Sequence, residues 1–140
     1  ADPTLNHKAF LKYIELNEGT KRHLIAIGGA GSLFTDSTHT TYCYETPEHP
    51  EFLREISKNI KLGIDELKKI DDVNWTVVCP SSFFDSEGAL TGNYEIGTEE
   101  QVIFNEAGES RVTYEDLAMA MLDIAEVDSY NQKQITVLTK

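Results

Sequence analysis

The sequence predicts an α/β fold built on a mainly parallel sheet with helices on both faces. Two strand-to-loop junctions carry that reading: His23-Leu-Ile-Ala-Ile-Gly-Gly-Ala-Gly-Ser32 and Val73-Asn-Trp-Thr-Val-Val-Cys-Pro-Ser-Ser82. Each is a short apolar run that stops at small or hydroxylated residues, and one long amphipathic helix separates them. Strands alternating with helices imply βαβ crossovers. In such sheets ligands bind beyond the carboxyl ends of the strands, which places chemistry at these two junctions.

The elements follow in order. Leu5, Phe10, Leu11, Ile14 and Leu16 recur at helical spacing, and Asn17-Glu-Gly19 ends the pattern as a C-cap would. Leu24–Ile27 reads as a buried parallel strand. Residues 33–49, rich in Thr, Ser, Asp, His and Pro, read as a functional loop with an extended piece near Tyr42–Thr46. Positions 52, 53, 56, 60, 64, 67 and 70 trace one apolar stripe, so a helix runs from Glu51 to Ile70, with Pro50 suited to its entrance. Trp75–Cys79 is the second strand, stopped by Pro80. Between 85 and 112, four glycines punctuate two alternating runs, Gly92–Ile96 and Gln101–Asn105, which predicts a small β-hairpin or edge elements on the substrate side. Thr113 caps a helix with Asp116 in the capping-box position, and Gln134–Leu138 is a final strand.

Composition narrows the functional classes. The 140 residues are one domain's worth, 1–140, and long enough to bury a real core. A net charge of -12 with dispersed Lys and Arg argues against nucleic acid and against anionic membrane surfaces. No run approaches the ~18 apolar residues of a membrane span. Cys43 and Cys79 form no C-x-x-C, as expected of reduced thiols in a cytoplasmic protein. His7, His23, His39 and His49 share no metal-ligand spacing, and no metal is expected. Without a G-x-S-x-G elbow, Ser32, Asp36 and His39 make no hydrolase triad. The start at Ala-Asp-Pro fits a processed fragment better than a native gene start.

Several segments in register carry a resemblance. Ile27-Gly-Gly-Ala-Gly-Ser-Leu33, the helix with Lys61 and Asp65, Asn74-Trp-Thr-Val-Val-Cys-Pro80, Phe84-Asp with Thr91-Gly-Asn-Tyr94, and Gly108-Glu-Ser-Arg-Val-Thr-Tyr-Glu-Asp-Leu-Ala118 resemble atypical short-chain dehydrogenases/reductases. The closest subgroup is the NmrA-like, NADH–flavin reductase-like proteins, and the match covers about residues 5–138. It implies a Rossmann-like NAD(P)-binding fold. The family's G-x-x-G-x-x-G turn and first βα units, roughly 60–90 residues at about 30 per unit, are not in this sequence. The resemblance therefore implies the C-terminal, nicotinamide-side part of the domain.

The resemblance also assigns candidate residues. It puts Gly28, Gly29 and Ala30 beside the nicotinamide ring, with Ser32 near the reacting centre. The alternative for this stretch is a strand end that needs positive φ. Lys61 matches the family's active-site lysine, but the tyrosine four residues before it, a general acid in classical members, is replaced by Ser57. Pro80, Ser81, Ser82 and Phe83 match the segment bordering the carboxamide, with Phe83 or Phe84 as a floor for a planar ring. Losing the tyrosine shifts the expectation from ketone reduction toward hydride transfer from NAD(P)H to a flavin-like (FMN or FAD) or quinone-like small-molecule acceptor. The alternatives are a non-catalytic NAD(P)-binding redox sensor and an interaction subunit. Residues 34–49 would then be a mobile lid.

The strands at 24–27 and 75–79 need neighbours on each side if both their faces are buried. Made alone, the 140-residue chain is expected to form a homo-oligomer through an open sheet edge. Light scattering during size exclusion checks this, and a stable, cooperative 15.7 kDa monomer would show the sheet to be self-sufficient.

Overall fold

A computed structural model describes residues 2–140. Helix α1 spans Leu5–Asn17, strand β1 His23–Ile27, helix α2 Glu51–Lys68 and strand β2 Asn74–Pro80. Short strands β3 (Phe83–Asp85), β4 (Tyr94–Gly97) and β5 (Arg111–Thr113) follow, then helix α3 (Tyr114–Ala125) and strand β6 (Lys133–Thr139). The main sheet has the order β1-β2-β6-β4, parallel except for β4. It is an open α/β sheet with helices on both faces, as the alternation of elements predicts. Among the described residues no helix is long and apolar enough to cross a membrane.

The pleat assigns the two cores. Trp75, Val77 and Cys79 point toward α1 and α2, where they meet Phe10, Ile14, Ile64 and Leu67. Val78, Ile135 and Val137 point the other way, toward Leu117, Ala120 and Ile124 of α3. Helix α1 lies on α2 because Gly63 leaves room: a Cβ there would come within 2.6 Å of the Phe10 ring. Gly19, with φ of +67°, ends α1 as its C-cap pattern predicts.

Four local expectations are corrected. No hairpin forms between 92 and 105. Instead β4 adds antiparallel to β6, where Tyr94 and Ile96 pack against the α3-side core, and 101–105 makes only one bridge, Gln101 to Phe34. Strand β3 pairs with β5, in parallel, so the hairpin expected at 85–112 is two separate pairings. The extended piece near 42–46 is a 3-10 turn over Cys43–Glu45. The α2 stripe begins at Leu53, since Phe52 is 80% exposed. Strand β1 is the edge of the sheet and only half-buried, with Ile27 exposed, so of the two strands expected to be buried on both faces β2 is and β1 is not. Pro80 ends β2 as expected, as its last ladder residue opposite Val137.

Asp116 organises the second half of the chain. Thr113 caps α3 by accepting from the Asp116 N–H at 3.0 Å, while the Asp116 carboxylate turns elsewhere. It accepts from the Thr91 N–H (2.9 Å) and hydroxyl (2.7 Å), from the Gly92 N–H (3.0 Å) and from the Thr139 hydroxyl (2.8 Å). One buried group thus joins α3, the turn before β4 and the end of β6. Burial raises its pKa, but the hydrogen bonds from Thr91, Thr139 and Gly92 outweigh it and hold the carboxyl below its ordinary value.

Replacing Asp116 with Ala is expected to cost about 3 kcal/mol, because hydrogen bonds to a charged acceptor are lost and buried donors are left unpaired. The folded-state pKa lies below the unfolded value, so this stabilisation is present above the unfolded value of about 4 and fades as pH falls through the folded one. Urea midpoints at pH 7 and pH 3 check both points. The gap between the two midpoints should shrink in Asp116→Asn.

Candidate functional site

The β1–α2 and β2–β3 junctions open onto one cleft of about 530 Å³ at the carboxyl ends of the two strands. Gly29, Ala30 and Gly31 form one wall and Pro80, Ser81 and Ser82 another. The floor and far side come from α2 and the loop before it, through Leu53, Ile56, Ser57, Ile60 and His49. The volume suits a small organic ligand. No lysine or arginine lines the cleft; its charged member is Glu48. Such a lining accommodates a flat, uncharged ring better than a phosphate, which needs cations or a row of free N–H groups.

The glycines at the first junction serve close approach. Gly28, Gly29 and Gly31 all avoid positive φ, so a need for positive φ does not explain them. A Cβ on Gly28 would lie 2.8 Å from both Cys79 Sγ and Val77 Cγ1, and one on Gly31 would lie 2.4 Å from Ser57 Oγ. The chain leaves β1 pressed against β2 and then against α2, and a 3-10 turn at Ala30–Ser32 carries it away.

The structure divides the sequence candidates. Gly29, Ala30, Pro80, Ser81 and Ser82 line the cleft; Gly28 sits behind it against β2, and Phe83 is 59% exposed and points away, leaving Phe84 as the aromatic neighbour. Ser32 is buried, and its hydroxyl donates to the Gly29 carbonyl at 2.7 Å. Gln134 Nε2 reaches both Ser32 Oγ (3.2 Å) and its carbonyl (3.3 Å), so Ser32 ties the junction to β6. Lys61 lies outside the lining, in an ion pair with Asp65 and 4.7 Å above the Tyr42 ring. Burial lowers its pKa, but Asp65 and Tyr42 outweigh that and hold it above the ordinary lysine value, which makes it a standing cation. Burial pushes the Cys79 thiol up, and the half-buried Cys43 of the cleft likewise, so neither is primed as a thiolate.

Sequence reasoning weighed His49 only as a metal ligand; its Nε2 stands 3.1 Å from Ser57 Oγ on the same side of the cleft. Ser57 had one signal, its place four residues before Lys61; His49 had none, because its partner lies eight residues on. The loop between β1 and α2 is not a free lid. Phe34 is stacked between His39 and Tyr42 at centroid distances of 4.5 and 4.3 Å. Arg54 donates to the carbonyls of Tyr44, Thr46 and His49 while paired with Glu51. The expected mobile cover is a pinned wall.

Comparison with known proteins bears on the fold. No family model matches the chain. The uncharacterized protein YwnB of Bacillus subtilis (strain 168) is 35% identical over 125 residues, 89% of this chain and 58% of that protein. A structure from Streptococcus pneumoniae TIGR4, provisionally assigned as an NADH-flavin reductase, is 33% identical with a TM-score of 0.92, over 99% of this chain and 65% of that one. A provisionally assigned NAD-dependent epimerase/dehydratase from Bacillus halodurans shares the fold at 21% identity and a TM-score of 0.60, over 96% of this chain and 53% of that one. The fold is Rossmann-like. The chain spans between about half and two thirds of the length of these relatives.

Removing the guanidinium in Arg54→Met is expected to release residues 44–49 at a stability cost of about 2 kcal/mol, since charged hydrogen bonds are the strong ones. Hydrogen exchange of the Tyr44–His49 amides should be slow in the parent protein and clearly faster in the variant.

Proposed function

We propose that the full-length protein is an NAD(P)H-dependent oxidoreductase of the atypical short-chain dehydrogenase/reductase type, NmrA-like and close to the NADH–flavin reductases. It would pass hydride to a flavin-like or quinone-like acceptor. The observation that carries this reading is the cation-free cleft at the carboxyl ends of two adjacent parallel strands, where an open α/β sheet binds its ligand. Its likeness in sequence and fold to the streptococcal protein supports the same conclusion.

The residues fit a nicotinamide ring. Gly31 lets the wall pack directly against Ser57 and His49, and Phe84 and Ile60 offer apolar surface. A nicotinamide bound here would supply two electrons and a proton as hydride. Gly29, Ala30, Pro80, Ser81 and Ser82 are proposed to hold it. The Ser81 hydroxyl is spent on the Val137 carbonyl at 2.6 Å, which fixes the backbone of the wall. Ser32 and Lys61 are proposed to act through what they hold, Ser32 by fixing the Gly29 carbonyl and Lys61 by anchoring Tyr42 in the ring stack. The cleft's lack of lysine and arginine leaves the cofactor's pyrophosphate to groups elsewhere in the protein.

One observation favours a second reading, a redox sensor that binds NAD(P) without turnover. The tyrosine of classical members is Ser57 here, and the lysine that would lower its pKa is committed to Asp65. Calorimetry with NADH and NADPH, followed by the 340 nm absorbance with added FMN or a quinone, separates the two. The expected outcome is micromolar binding and steady oxidation. Binding without oxidation would favour the sensor, and no binding of either nucleotide would overturn both readings.

A further inference from the structure

We propose that Ser57 and His49 form the proton relay of this site, with Ser57 the group that touches the acceptor and His49 acting through it. The inference rests on the reductase reading. Hydride brings the acceptor two electrons and one proton, and a neutral flavin or quinone then needs a second proton. The balance is NAD(P)H + acceptor + H⁺ giving NAD(P)⁺ and the doubly reduced, protonated acceptor. Ser57 Oγ–H donates that proton, His49 as imidazolium passes its Nε2 proton to Ser57 and becomes neutral imidazole, and the H⁺ taken from solvent recharges it.

Geometry and elimination point to this pair. His49 Nε2 and Ser57 Oγ are 3.1 Å apart, and both line the cleft facing the Gly29–Gly31 wall. Gly31 is fitted to them: a Cβ would meet Ser57 Oγ at 2.4 Å and His49 Cε1 at 3.1 Å. The His49 backbone is fixed, because Arg54 Nη2 donates to the His49 carbonyl at 3.2 Å and the His49 backbone N–H donates to the Thr46 carbonyl at 3.2 Å. Three neighbouring hydroxyls are engaged elsewhere, and among the described cleft hydroxyls Ser57 is the one bonded to an imidazole. Ser32 Oγ donates to Gly29, Ser81 Oγ to Val137 and Thr46 Oγ1 to Cys43, each to a backbone carbonyl. Lys61 is paired with Asp65 outside the lining. Ser57 also stands one helical turn before Lys61, on the α2 face that turns Ile56 and Ile60 into the cleft. A hydroxyl that receives a proton from an imidazolium as it gives up its own relays the proton without having to ionise, so no lysine is needed to acidify it.

The test uses the full-length protein and its variants Ser57→Ala, Ser57→Thr, His49→Gln and His49→Ala, each checked for native circular dichroism. NADPH oxidation with FMN is measured alongside NADPH binding. The relay predicts that kcat falls roughly 10²–10⁴-fold in Ser57→Ala and in His49→Gln with NADPH affinity unchanged. The double variant should be no worse than either single one, because the two act as a unit. Ser57→Thr, which keeps the hydroxyl, should recover most of the rate, and added imidazole should rescue His49→Ala but not Ser57→Ala. A second readout needs no turnover: FMN alone should move the His49 ring resonances in NMR, and this response should be lost in Ser57→Ala. Parent-like kcat in both single variants, or an FMN-silent His49, would overturn the relay and leave the reductase reading standing. A parent protein that binds NADPH but reduces no acceptor would overturn the reductase reading and the relay together.

Discussion

The close passage of residues 28–32 across β2 and onto α2 is the constraint on which the rest of this architecture depends. Backbone without side chains lies 2.8 Å (from a would-be Cβ) against Cys79 and Val77 at Gly28, and closer still against Ser57 at Gly31. Interiors are packed too tightly to absorb even one added methyl at such points. The approach sets the width of the cleft, brings the α2 hydroxyl to its rim and directs Ser32 inward, where Gln134 locks the junction to β6. A single steric fact thus couples the strand order to the shape of the site.

The loop from residue 33 to residue 49 converts that shape into a rigid wall. It carries few apolar residues of its own, so it is held by stacking and charge. Phe34, His39 and Tyr42 stack, Lys61 sits over Tyr42, and Arg54 gathers three carbonyls. Both cations belong to α2. The helix therefore supplies the floor of the cleft and the two charges that hold the opposite side over it. A prearranged site of this kind limits the ordering that a ligand must induce.

Asp116 has the same integrating role away from the cleft. Residues 83–113 contain three short strands, too brief to be stable alone. The carboxylate collects the Thr91–Gly92 turn and the end of β6, and Arg111 forms an ion pair with Asp85 at 2.9 Å beside the β3–β5 pairing. Burial opposes a charge here, and the four hydrogen bonds win.

The sequence by itself determined the elements whose signals are local. The α2 stripe, the Gly19 stop after α1, the Thr113 cap and the two apolar strands ending in small residues are written within a few consecutive turns of chain, so periodicity and capping suffice to read them. From these came the open α/β architecture and the place of the cleft. Only the tertiary structure decided what depends on partners far along the chain. Strand β4 chose β6 over a hairpin because Tyr94 and Ile96 gain the α3-side core, and Asp116 left its capping-box role for Thr91 and Thr139. Ser32 turned inward to meet Gln134, a contact across 102 residues, and His49 met Ser57 because Arg54 and the missing side chain of Gly31 brought loop and helix together. Local propensity constrains a residue's backbone, whereas a side chain's partner is set by packing, which no short window of sequence contains.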